Sequence, residues 1–282
     1  MSEKKIDGNL KSMDLGNQEI LEIASRAGRL VLENGGETYR AEETMNRAAL
    51  SLGAAVSESF VTPTVVMLSV QDNDKKTETI IHRVKKREIN LGKIGSINAL
   101  SRKISSRTEC PGRTECPGKA GFYTTGKQIS YVLSRIENSP VYPVKLQVLF
   151  YGLVPLFFSL IFDGTLKDCL GAFVSGCCLR GVMFILSRFN FPSFISTLTE
   201  GFFVSFCIRV ASCIHIVDNP EISSISVLMV LVPGLAIVNA IRDIIAGDLV
   251  AGLARGAEAF IVAAALSFGA GLGVLLFDFI GF

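Results

Sequence analysis

VLMVLVPGLAIVNAIRDIIAGDLVAGLARG, residues 227–256, is the stretch whose reading decides the fold. It opens as apolar as a lipid-embedded helix, breaks at Pro233-Gly234, and then carries Asn239, Arg242, Asp243, Asp248 and Arg255. Ionisable groups beside membrane-grade sequence are costly unless they face a partner or a wet cavity, which makes them functional candidates by default. A Pro-Gly break also frees backbone groups that can line a binding site. The stretch therefore predicts a polytopic α-helical membrane protein with a solute path beside the break.

Around it the chain divides by composition. Residues 1–145 hold 22 of the 28 Lys+Arg and 17 of the 26 Asp+Glu, a net +5; the remainder, at a net −3, is charge-poor and apolar. Such a shift reads as a soluble domain joined to a membrane domain. The overall charge of +2 gives no electrostatic footprint for nucleic acid. No secretory signal is read at the start, so the first domain is expected to stay in the cytoplasm. Five of the seven cysteines (Cys169, Cys177, Cys178, Cys207 and Cys213) lie in apolar stretches and read as small hydrophobes.

After a polar tail, residues 1–16, an α+β domain is expected over 17–105. Ile20, Ile23, Ala24, Ala27, Leu30 and Val31 mark a first helix, with Asn17 as its cap and Gly35-Gly36 as its stop. Thr38 is expected to cap a second helix, Tyr39–Leu52, ended by Gly53. Val56–Val61, Thr64–Val70 and Glu78–Val84 read as strands separated by Pro63 and by the Asp72–Lys76 turn, and Leu91–Ile104 as a third helix. Residues 106–145 form a linker. It holds RTECPG twice in tandem, Arg107–Gly112 and Arg113–Gly118, and an amphipathic helix over Gly126–Ile136. Cys110 and Cys116 are too few for a zinc site, which wants about four ligands.

Residues 146–282 then read as about five spans: 146–162, 168–187, 194–214, 224–245 and 256–280. Lys and Arg in the connections (Lys145, Arg188, Arg242, Arg255) put the N-terminus inside. Gly252/Gly256, Gly269/Gly273 and Gly171/Ser175 are pairs that let helices approach closely. Asn239 and Arg242 suit a carboxylate substrate, and Asp243, Asp248 or Glu258 suit a coupling proton. Arg255 and Glu258, at i, i+3, can neutralise one another. Glu200 and Arg209 on the third span each need a partner elsewhere.

Two stretches resemble one family. Residues 33–45, ENGGETYRAEETM, are similar to the G-[AG]-E-T-x-R-x-E-x-T-M signature of the threonine/serine exporter family. Pro233-Gly234 with Asn239, Arg242, Asp243, Gly247-Asp248, Gly252, Arg255 and Glu258 resembles its second conserved region. The resemblance implies proton-motive-force-driven export of small metabolites such as threonine, serine or a succinate-like dicarboxylate, across the cytoplasmic (inner) membrane and without a cofactor. It also implies that the chain is the large component of a split pair. The expected partner is a small hydrophobic membrane protein, with a homo-oligomer as the other assembly. In the first motif, Glu37, Thr38, Tyr39, Arg40, Glu42 and Glu43 are the candidate residues, and Glu37, Arg40, Glu43 and Arg47 share one helical stripe. The rival reading is a membrane-tethered, hydrolase-like enzyme using that Glu/Arg crevice, for which no G-x-S-x-G or H-E-x-x-H supplies a nucleophile or base.

Overall fold

In the computed structural model, residues 15–85, 88–109, 126–140, 142–189 and 191–280 are described. The tail 1–14 and most of the RTECPG duplication lie outside them. The chain forms two compact units, the first made of residues 1–139 with 238–255, the second of 140–237 with 256–282.

In the first unit, α1 (Asn17–Glu33) and α2 (Thr38–Leu52) pack as a hairpin, followed by β1 (Val56–Thr62), β2 (Val65–Gln71) and β3 (Thr77–Arg83). The strands form an antiparallel meander, with Thr62 opposite Val65 across the Pro63-Thr64 turn and Val66 opposite His82. Alternation sends Val66, Leu68 and Val70 of β2 inward. There they join Ile23, Leu30 and Val31 of α1 and Met45 and Leu52 of α2. Helix α3 (Leu91–Glu109), about a turn longer than its apolar periodicity suggests, contributes Ile97 and Leu100; α4 (Gly126–Glu137) contributes Ile129 and Leu133. Glu137 ties α4 to Arg26 and, at 3.4 Å, to Arg29.

Two expected caps are corrected. Gly16, not Asn17, precedes α1, and the Asn17 amide instead donates to Asp72 Oδ2 at 3.1 Å. Glu37 precedes α2, and Thr38 is its first residue, its hydroxyl engaged outside the helix. Gly53 ends α2 at φ 118°, a left-handed position that favours glycine.

The second unit begins with α5 (Val144–Ile161), α6 (Leu166–Leu186), α7 (Ser193–Cys213) and α8 (Pro220–Leu228). Helices α9 (Gly234–Ile245) and α10 (Leu249–Ile280) are each divided between the units. Among the described residues, four helices are long and apolar enough to cross a membrane: α5, α6, α7 and α10. The expected span over 224–245 is not one helix. Pro233 has no N–H to donate, and the chain turns through Met229–Pro233 between α8 and α9.

Within the second unit α10 lies against α7 through glycines. A Cβ on Gly269 would fall 2.0 Å from the Leu198 carbonyl oxygen, and one on Gly273 2.6 Å from that of Phe202. Position 269 thus meets 198 and position 273 meets 202, so the two helices run in the same direction. The chain between them has to return to the starting side. Asp168 fixes the start of α6: fully buried, it accepts from Thr165 N, Thr165 Oγ1, Asn219 N and Asn219 Nδ2 at 2.7–3.0 Å. Lys167 pairs with Asp218 and Arg209 with Glu221.

Candidate functional site: a polar clasp of distant segments

The first unit brings together two segments some 200 residues apart in sequence. One is the α1–α2 connection, Asn34–Thr38, which Gly35 turns at φ 89° and Asn34 braces by donating to the Leu30 carbonyl at 2.7 Å. The other is the end of α9 with the start of α10, folded on itself at Gly247 (φ 95°), where Gly252 lies close beneath Ala240 and Ile244.

Hydrogen bonds and ion pairs join them. Asn239 Nδ2 donates to the Gly35 carbonyl at 2.9 Å, and Arg255 Nη2 to the Gly36 carbonyl at 2.8 Å. Asp243 Oδ1 accepts from Thr38 N (3.2 Å) and Thr38 Oγ1 (2.8 Å). Arg255 Nε stands 3.3 Å from Asp243 Oδ2. That oxygen makes no well-aligned hydrogen bond, so the contact is an ion pair held by charge. Arg242 reaches Glu37 Oε1 at 2.6 Å, the arginine side chain 57% exposed and the glutamate side chain only 7%. Six of the residues singled out from sequence, Glu37, Thr38, Asn239, Arg242, Asp243 and Arg255, thus meet in one cluster.

Helix α9 is amphipathic the wrong way round for water. Its buried residues are Asn239, Ala240 and Asp243, whereas Val238, Ile241 and Ile245 are exposed, Ile245 by 80%. A water-soluble protein buries the apolar face of a surface helix. Polar side inward and isoleucines outward is the arrangement lipid imposes.

The other candidates lie outside this clasp. Asp248 opens α10, its carbonyl accepting from Gly252 N at 3.0 Å. Glu258, on α10 in the second unit, is exposed. Tyr39 is exposed on α2. Glu42 accepts from Val61 N at 2.9 Å; burial pushes its carboxyl above the ordinary range, the Val61 hydrogen bond opposes this, and Asp248 and Asp243 add to the rise. A carboxyl raised on folding contributes stability on the acid side of its unfolded value and loses it as pH rises through the folded value. Glu42→Gln keeps an acceptor for Val61. It should therefore match the wild type in acid and gain on it towards neutral pH, by no more than roughly 1 kcal/mol because the side chain is partly exposed and screened. Thermal midpoints of the full chain in detergent across pH check this; a difference independent of pH would show that the carboxyl is not strained.

Arg40, Glu43, Thr44 and Arg47 of α2 face Asn98, Ser101 and Arg102 of α3 across a shallow cleft of about 110 Å³. Its one carboxylate, Glu43, is paired with Arg47, and no histidine lines it. Arg40 leans back towards Glu37 at 3.8 Å. The α3 side of this cleft escaped the sequence reading, although Asn98 and Arg102 at i, i+4 mark a polar stripe. The clasp also uses the carbonyls of Gly35 and Gly36, which no side-chain pattern announces.

Three comparisons bear on the chain. The family model described as "Putative threonine/serine exporter" matches residues 22–277. A protein of Corynebacterium glutamicum named "Threonine/serine exporter" is 20% identical over 264 residues, covering 91% of this chain and 51% of that protein. The chain thus spans about half the length of that relative. No solved structure matches it.

Proposed function

Because the chain belongs to the threonine/serine exporter family, we propose that it is a component of a secondary exporter of threonine, serine or a related small carboxylate. In this reading the clasp is the place where the substrate's carboxylate is exchanged. Family membership and four apolar helices make it a multi-pass membrane protein. The cytoplasmic membrane, an inward N-terminus, drive by the proton-motive force and a small hydrophobic partner supplying further spans belong to the same proposal.

The observation that carries the reading is the Glu37–Arg242 pair. A largely exposed arginine side chain, one helical turn from Asn239, holds the protein's own carboxylate. That carboxylate occupies the position a substrate carboxylate would take, and a charge-assisted pair of this kind exchanges one carboxylate for another at little net cost. Substrate binding to Arg242 then releases Glu37 and loosens the α1–α2 connection from α9. Asn239 and Arg242 fix the carboxylate only, which is why the family's amino acids and a dicarboxylate both fit.

Cells lacking the chain should accumulate threonine or serine when fed a dipeptide that contains it. Arg242→Gln, produced to wild-type abundance, is expected to cut efflux at least about tenfold, the loss of one charge-assisted hydrogen bond. Glu37→Gln should retain efflux and lower the apparent KM, because it removes the internal competitor. Unchanged efflux in Arg242→Gln would remove the exchange site from the clasp.

A further inference from the structure

Outside the clasp, one ionisable side chain in the second unit stands apart. Glu200 lies on α7 about 10 Å from its start at 1.5 Å per residue, and it is only 7% exposed. It shares the buried face of that helix with Gly201, Val204, Ser205 and Ile208. Gly201, next to it, is pressed against α10: a Cβ there would fall 2.6 Å from the Leu266 carbonyl oxygen and 3.2 Å from Ala270 N. Glu200 thus lies one residue from a tight α7–α10 contact, on a helix long and apolar enough to cross a membrane, and not in a loop.

No hydrogen bond or ion pair reaches it among the described residues. The charged groups on neighbouring elements are engaged elsewhere or face outward. On α6, Lys167 pairs with Asp218, Asp168 is held by Thr165 and Asn219, and Arg180 donates to Gln147 and stacks over Tyr151. Arg209, on α7 itself, pairs with Glu221 of α8. On α10, Arg255 faces Asp243, and Glu258 and Asp278 are exposed. A structural buried carboxylate carries partners, as Asp168 does; Glu200 has none among the described residues.

We infer that Glu200 is a reversible proton-binding site inside the membrane unit. An unpaired carboxylate is costly in this setting, and taking up a proton removes that cost. A metal or alkali cation is a poorer occupant, since hard cations want several oxygen ligands and a lone carboxyl offers two. Under the export reading this is the group that carries the coupling proton. The inference takes its purpose from that reading, not its test.

The test uses the purified full chain in detergent and dicyclohexylcarbodiimide. This reagent adds to a protonated carboxyl in apolar surroundings, and the adduct rearranges to a stable N-acylurea with no leaving group. Peptide mass spectrometry locates it. The expected result is an adduct on Glu200 whose extent falls roughly tenfold per pH unit above the titration midpoint, as the protonated fraction does. Exposed Glu58 and Glu221 should remain unmodified, and Glu200→Gln should abolish the adduct. No adduct at any pH, an adduct independent of pH, or equal labelling of the exposed carboxyls would each overturn the inference. Efflux plays no part in the readout, so failure here leaves the export reading standing, and failure of that reading leaves the proton site in place.

Discussion

Asp243→Ala is expected to lower the stability of the full chain by about 3 kcal/mol, the lower end of what removing one member of a buried ion pair costs. Asp243 is fully buried and Arg255 8% exposed. The carboxylate accepts from both the backbone and the hydroxyl of Thr38 and faces the Arg255 guanidinium. Alanine leaves two donors of α2 without that acceptor and a buried cation without that anion. Asp243→Asn should cost less, because the amide oxygen still accepts from Thr38 while the charge is gone. Two nearby changes test the assignment: Arg255→Ala and the double variant Asp243→Ala/Arg255→Ala. If the pair acts as a unit, the double variant should fall well short of the sum of the singles. Thermal midpoints of the detergent-solubilised chain measure all four proteins. Efflux per folded molecule should also fall in Asp243→Ala, since α2 is no longer fastened to α9. Wild-type stability in Asp243→Ala would remove the clasp as a structural element.

How far could the chain be read without its structure? The strands came within a residue of their observed ends, because β-branched runs bounded by Pro63 and by the Asp72–Lys76 turn are local signals. Both segments of the clasp were also visible, residues 239–255 as charge out of place beside apolar sequence and residues 37–43 through their likeness to a family signature. Their meeting was not. Periodicity places Asn239 and Asp243 on one face of α9 and Ile241 and Ile245 on another, but it does not say which face is buried. In water the isoleucines would be; next to lipid the polar side is. The Thr38 cap failed for a related reason. Local rules assign its hydroxyl to the helix it begins, and a carboxylate 205 residues away claims it. The span expected over 224–245 had enough apolar residues for a crossing. Pro233, without an N–H, marked the break, but hydropathy alone did not show that it separates two short helices.

Gly269→Ala and Gly271→Ala place the same methyl group two residues apart on α10, and opposite outcomes are expected. At Gly271 a Cβ meets nothing within 4 Å; at Gly269 it would fall 2.0 Å from the Leu198 carbonyl oxygen and 2.9 Å from the Leu198 carbonyl carbon. Those are backbone atoms of α7, so no side chain can swing aside, and the helices have to separate. Overpacking of a tight core costs about 1–3 kcal/mol, and the upper end fits a clash with backbone. Separation matters more in a bilayer than in water, because lipid tails are as apolar as leucine and helix association rests on close packing. Gly269→Ala should therefore lower the thermal midpoint and the yield of folded protein, while Gly271→Ala leaves both unchanged. The same displacement reaches function. Gly201 holds α7 against α10 from the other side, and Glu200 adjoins it. Prising the helices apart should let water to that carboxyl, and carbodiimide labelling of Glu200 should fall in Gly269→Ala but not in Gly271→Ala. Equal behaviour of the two alanine variants would mean that this glycine contact neither joins the helices nor shields the carboxyl.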